Sequence, residues 1–317
     1  MTSGPSETSK PGTFRVLALD GGGSKGVYTI GVLREVEALV KKPLGRIFDI
    51  IYGTSTGAII ASALSLGLSV DEIEKLYMAQ IPKIMRPFSA RGRSRELGST
   101  LKAVFGNKTF ADCICGLGVV ATEYNEKRPV IFKSKLAMAH GMRDTFVPGF
   151  GCLIRDAVEA SCSAYPFFKV KTVTPSNQAR LCLVDGGFSA NNPTLLAYVD
   201  ALSCRPDAAM PIKMLSVGVG QYPQRKPWRA IASAWHLTIA VGQIELQFSA
   251  SGRTLAKATE LAARVGGATI VRLDESFTEP NLASSLLEHD IERLERLRNK
   301  GRLSFGAAEA DIRNIVT

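Results

Sequence analysis

An α/β fold with a mainly parallel central sheet flanked by helices is the class this 317-residue sequence predicts. Three observations carry that expectation. Short apolar runs alternate with segments whose apolar residues recur at helical spacing, as strand–helix units on a parallel sheet do. Two of the runs end in glycine turns, Gly21–Gly26 and Gly53–Gly57, and each turn opens a helix-period segment. Hydrophobic residues make up 45% and charged residues 21%, the balance of an ordinary globular chain long enough to bury one large core.

Each element follows in order. The first thirteen residues, MTSGPSETSKPGT, are small and polar and carry two prolines. They lack the apolar stretch of a signal peptide and read as a disordered tail or an expression remnant. Phe14–Leu19 is a short strand ending at Asp20, and Val27–Leu39 has helical spacing. A second unit begins near Ile47, runs through Ile50-Ile51-Tyr52, turns at Gly53-Thr54-Ser55-Thr56-Gly57 and continues as an Ala- and Ile-rich helix. That helix is interrupted by serines and a glycine, so it reads as a core helix rather than a membrane span. Asp71–Gln80, with early acids, predicts another helix.

From Lys83 to Lys108 there are seven basic residues against one acid, interleaved with Ile, Met, Phe and Leu. Such a stretch reads either as a solvated loop and helix face or as a contact with an anionic membrane interface. Leu117–Thr122 and Pro129–Phe132 look like strands around a turn, and Ile154–Ala160 like a helix. Leu181–Val184 is a strand ending in Asp185, and Met214–Val219 is another. Leu286–Arg298, dense in mixed charge, reads as an amphipathic surface helix. The whole predicts one domain in which residues 201–317 complete the unit begun at residue 14 and supply cap or regulatory elements.

Six scattered cysteines without a secretion signal read as reduced, buried thiols in a cytoplasmic protein. The formal net charge of +10 favours an anionic partner, a lipid surface or a nucleotide.

Gly53-Thr54-Ser55-Thr56-Gly57 is G-x-S-x-G between a strand and a helix, the context in which a sharp turn lifts a serine hydroxyl above a sheet. Such a serine needs a base for its proton. The chain has three histidines, His140, His236 and His289. His236 and His289 follow Ser55 in the order a Ser-acid-His triad uses, but both read as helical rather than as loop residues after a strand. Asp185, at a strand end before Gly186-Gly187, is the better base: a buried carboxylate bonded to the serine gains proton affinity. Gly21, Gly23 and Gly26 satisfy G-x-G-x-x-G, yet Asp20 would set a carboxylate beside a bound pyrophosphate, and the acid expected after the next strand is missing. The same glycines suit another anion. Consecutive glycines at a helix start leave backbone N–H groups aimed at one point, which is what a tetrahedral oxyanion requires.

These blocks resemble the patatin-like phospholipases, which hydrolyse lipid esters with a Ser-Asp dyad. Asp20-Gly21-Gly22-Gly23-Ser24-Lys25-Gly26 resembles their oxyanion motif, and Gly53–Gly57 their nucleophile elbow. Ala160–Phe168 resembles their Ala-Ser-x-Ala block, with Cys162 and Tyr165 in variable places. Asp185-Gly186-Gly187 with Asn191-Asn192-Pro193 resembles their catalytic Asp motif.

The resemblance covers a catalytic core of residues 14–200 and implies a three-layer sandwich. It makes Ser55 the acylated nucleophile, Asp185 the general base, Gly21, Gly22 and Gly23 the oxyanion hole and Lys25 a support of that loop, with no metal or other cofactor. Implied partners are membrane phospholipid as substrate and the anionic inner membrane face as a peripheral surface, with a homo-oligomer left open. The texture of LALDGGGSKGVYTIGVL also resembles antiphage effectors of this family, which implies a cyclic oligonucleotide activator; the cations and aromatics of Tyr222–Arg229 read either as a basic surface loop or as the place where phosphates and bases would be met. Two other readings remain at this stage: an acylglycerol lipase or general esterase, and a nucleotide-binding regulatory module with a vestigial lipase site.

Overall fold

The computed structural model describes residues 12–139, 145–176, 179–221 and 235–317, with backbone only for 235–240. The stretch 222–229 and His140 lie outside the described residues.

The first strand, β1 (Phe14–Leu19), and the helix α1 (Gly26–Val40) are followed by β2 (Ile50–Thr54) and α2 (Thr56–Ser65). Both strands are apolar at successive positions because both faces are covered. Leu17, Leu19 and Ile51 face one helical layer, while Val16, Ala18 and Tyr52 face the other. Two helices follow, and the cationic stretch falls on the end of the first and along the second. The first, α3 (Val70–Met85), is fixed at its start by a reciprocal Ser69–Glu72 capping box, which satisfies otherwise orphan N–H groups. Its partner, α4 (Ala90–Phe105), is started by the Ser89 hydroxyl, which accepts from Gly92 N–H. In the corner between them Phe88 is 90% exposed.

Next come β3 (Gly116–Glu123), β4 (Arg128–Lys133), α5 (Ile154–Ser161), β5 (Lys171–Val173) and β6 (Leu181–Asp185). The chain closes with α6 (Gly187–Ala190), α7 (Thr194–Cys204), β7 (Ile212–Val217), α8 (Trp235–Gly266), β8 (Thr269–Leu273) and α9 (Ile291–Val316).

The eight strands of the described residues form one sheet. Its parallel part runs β3-β2-β1-β7-β8, so the path turns to opposite sides of β1. The crevice at such a reversal, beyond the strands' C-terminal ends, is where α/β sheets receive ligands.

The antiparallel strands build the site. β2 pairs with residues 116–120 of β3, and β6 pairs antiparallel with residues 121–123. The opposite edge of β3 is taken by β4 across residues 118–123, so β2 and β6 must share one edge. They approach from opposite directions and end beside each other, Thr54 opposite Val120 and Asp185 opposite Ala121.

The C-terminal helix departs from its sequence reading. The Asp290 side chain accepts from Arg293 N–H and caps the helix, so α9 begins at Ile291 and His289 precedes it. The helix is also not a surface appendage. Leu294, Leu297, Phe305, Ile312 and Ile315 are buried, a stripe that the dense charge on the other face conceals in the sequence. It packs on α1 at backbone distance: a Cβ on Gly31 would lie 2.1 Å from the Arg298 carbonyl oxygen, and one on Gly301 2.2 Å from that of Tyr28.

Candidate active site

Ser55 sits between β2 and α2 with φ 54° and ψ −124°, a conformation rare for a residue with a side chain. The turn is held from outside. Ser55 N–H donates to Ser161 Oγ at 2.8 Å, and that hydroxyl donates to the Val120 carbonyl at 2.5 Å. The flanking glycines are demanded by space: a Cβ on Gly53 would lie 2.3 Å from the Gly57 carbonyl oxygen, and one on Gly57 2.3 Å from that of Leu19. The N-terminus of α2 lies under Ser55, and its partial positive charge favours negative charge at the hydroxyl.

Asp185 ends β6, the strand that meets β2 head to head. Ser55 Oγ donates to Asp185 Oδ2 at 2.7 Å, and Gly187 N–H donates to Oδ1 at 2.7 Å. Both side chains are buried, Ser55 at 5% and Asp185 at 1% exposure. Burial pushes the Asp185 carboxyl up to about 7, against the lowering effect of the Gly187 and Ser55 hydrogen bonds. A carboxylate so placed can take the hydroxyl proton near neutral pH. The Ser161–Ser163 backbone fixes it further, with Ser163 and Ser161 carbonyls accepting from Asp185 and Gly186 N–H at 3.0 and 3.2 Å. The Cys162 thiol lies in the same pocket, and burial holds it in the protonated form by raising its pKa well above the usual value.

The glycine turn after β1 packs directly against this pair. A Cβ on Gly21 would come within 3.0 Å of Ser55 Cβ. Gly21 is clamped at both ends by Asn191: its N–H donates to the Asn191 carbonyl at 3.0 Å, and its carbonyl accepts from Asn191 Nδ2 at 3.1 Å. The Tyr77 hydroxyl donates to the Gly23 carbonyl at 2.8 Å, and Gly23 adopts φ 57°, which suits glycine. Among the described residues the N–H groups of Gly22 and Gly23 meet no protein acceptor. Gly23 lines the pocket of Ser55 and Asp185.

Asp20 and Lys25 border a polar cleft on the other side of the turn. Asp20 is bound by Arg272, Nη1 to Oδ1 at 2.8 Å and Nη2 to Oδ2 at 2.5 Å. Burial still pushes its carboxyl up to about 6, with the Arg272 guanidinium opposing. Lys25 Nζ is 3.7 Å from a Glu245 carboxylate oxygen on α8, so its charge ties the turn to that helix.

The cavity over Ser55 is walled by Ile59, Ile81, Ile84, Phe167, Phe248 and their neighbours, with little polar surface. Its volume is about 30 Å³, room for a couple of waters and none for an acyl chain. Of the three histidines only the His289 side chain is described. It is exposed, with Nδ1 3.3 Å from the Leu287 carbonyl oxygen.

Residues 17–198 match the family model for patatin-like phospholipases. The chain belongs to the patatin-like phospholipase family. It is 43% identical over 304 residues to the cUMP-AMP-activated phospholipase of Escherichia coli, covering 95% of this chain and 93% of that protein. It is 26% identical over 325 residues to the cGAMP-activated phospholipase of Vibrio cholerae, covering 91% and 89%. Among solved structures, human GIVD cytosolic phospholipase A2 aligns with a TM-score of 0.48 and 13% identity, over 96% of this chain and 60% of that one.

As a patatin-like phospholipase the chain is a hydrolase by family, and its motifs converge on one pocket. Two contributors were visible in the sequence only as parts of motifs. Ser161 holds the elbow backbone, and Asn191 holds the glycine turn. Their signal was the blocks Ala160-Ser161-Cys162-Ser163 and Asn191-Asn192-Pro193, with nothing in the residue types to say which backbone each would grip.

Proposed function

We propose that this protein is a membrane phospholipase that cleaves acyl esters with a Ser55–Asp185 dyad and is switched on by a cyclic dinucleotide. The 2.7 Å hydrogen bond from Ser55 Oγ to Asp185, under a glycine turn with open amides, is the observation that carries this reading. Ser55 Oγ attacks the ester carbonyl carbon as its proton passes to Asp185 Oδ2. The oxyanion is received by the Gly22 and Gly23 amides, each worth about 3 kcal/mol in the transition state, while Gly21 holds the turn to Asn191 and Lys25 supports it through Glu245. Collapse breaks the ester C–O bond, and the leaving alcohol takes the proton from Asp185. Asp185 then removes a proton from water, which attacks the acyl-enzyme, and Ser55 leaves with that proton.

The apolar cavity suits an acyl chain better than a small polar ester. The exposed Phe88 beside exposed Arg86 and Arg91, at the end of two helices that wall the cavity, supports peripheral contact with an anionic membrane face. No described helix is long and apolar enough to cross a membrane. The names of the Escherichia coli and Vibrio cholerae relatives support the activator, and the closed cavity gives an activator something to open. Incubation with phosphatidylglycerol–phosphatidylethanolamine vesicles, with and without cUMP-AMP, tests the reading. Release of fatty acid that rises with the nucleotide is expected. Hydrolysis of acylglycerols in preference to phospholipid would favour a lipase instead.

A further inference from the structure

Apart from the acyl cavity, an opening of about 660 Å³ bounded by α7, β7, β8 and α8 falls within the size range of small-molecule sites. Its walls include Asn192, Thr194, Gln221, Arg253, Lys257 and Arg272. We propose that this cavity is the seat of the cyclic dinucleotide, with its phosphates on Arg253 and Lys257, and that α8 carries the effect of binding to the acyl cavity. The proposal rests on the activator reading above.

Charge and hydrogen bonding favour that ligand. Arg253 forms no ion pair among the described residues; its Nε donates to Gln221 Oε1 at 3.1 Å, a neutral partner that leaves the cation free to meet an anion. Glu260 and Asp274 also face the cavity. Glu260 is held by Lys257 at 2.9 Å and Arg264 at 2.5 Å, and Asp274 by Arg272 at 2.9 Å. Asn192 adds a second, independent pointer. It is fully buried, its Oδ1 accepts from Thr194 N–H at 2.8 Å, and its Nδ2 has no acceptor among the described residues. A buried donor without a partner is costly, and Asn192 is among the residues lining this cavity, so a base carbonyl or phosphate oxygen brought to it would satisfy that donor.

The cavity and the acyl site have no lining residue in common, but α8 contributes to both and two contacts tie the cavity to the glycine turn. Asn191, next to Asn192, clamps Gly21, and Arg272 holds Asp20 immediately before the glycine turn. On α8, Arg253 and Lys257 face the nucleotide cavity, and Phe248 faces the acyl cavity. A ligand that grips the first two more tightly when α8 has shifted favours the open acyl cavity by that difference in affinity.

The test is calorimetric binding of cUMP-AMP and its half-activating concentration for wild type, Arg253→Ala, Arg253→Gln, Lys257→Ala and the control Arg313→Ala, an exposed cation on α9 paired with Glu309. Arg253 and Lys257 are exposed, so melting temperatures should stay near wild type. Each cavity variant should bind and respond about 10- to 100-fold more weakly, Arg313→Ala should stay near wild type, and Ser55→Ala should bind normally without turnover. Wild-type binding and activation that survive unchanged in all the cavity variants would overturn this site and leave the activator reading standing. Failure of the wild type itself to bind or respond would overturn the activator reading and the site with it.

Discussion

At the scale of single residues, the distinctive feature is a carboxylate in direct contact with the serine, where a hydrolase commonly sets an imidazole between them. The pH dependence follows from Asp185. It must be ionised to act as base, and its folded pKa is about 7. The rate should therefore rise about tenfold per pH unit below about 7 and level off above it, which a pH profile of kcat/KM on a soluble ester reads directly. Stability should move the other way. The folded pKa lies above the ordinary carboxylate value of 3.8, so the native state holds this proton longer than the unfolded chain. The contribution is fully present below that lower value and is lost as pH rises through the folded pKa. Asp185→Asn keeps an oxygen for Gly187 N–H and cannot ionise. It should melt a few degrees above wild type at about pH 8, with the gap closing toward about pH 4.

At the scale of elements, the site exists because two strands end against each other on one edge of β3. The strands themselves were legible as apolar runs ending in Asp20, the elbow and Asp185. Their directions were not, because an apolar run reads the same from either end; β4 and β6 run against β3, and β5, antiparallel to β6, runs with it. β8 escaped notice for a different reason. Arg272 interrupts its apolar run and yet is accommodated inside by Asp20 and Asp274. The helix α8 sets the other limit of the site. Phe248, packed on Phe188 with ring centroids 5.2 Å apart, walls the acyl cavity. Phe248→Ala should enlarge that cavity and raise basal hydrolysis of long-chain esters several-fold without nucleotide, relative to short-chain esters. An unchanged chain-length ratio would show that the closure lies elsewhere.

At the scale of the whole molecule, sequence motifs more than a hundred residues apart in the chain become one pocket. The residues proposed to react were legible because each kind of chemistry carries its own local signature: a serine in a strained turn, glycines at a helix start, an acid at a strand end. What was not legible was how they are held. The grip of Ser161 on Ser55 and of Asn191 on Gly21 depends on the sheet bringing them together, and the closure of the cavity depends on α8 and the 286–287 segment folding over it. The net charge of +10 belongs to this scale too, since it draws the molecule toward anionic surfaces and ligands.

The most direct test of the dyad is the rate of labelling by a serine-directed phosphonate in wild type, Ser55→Ala, Asp185→Asn, His236→Ala and His289→Ala. Labelling should vanish in Ser55→Ala, fall by about 10⁴-fold in Asp185→Asn and persist in both histidine variants. Normal labelling of Asp185→Asn together with its loss in His236→Ala would give the proton to an imidazole and contradict the account.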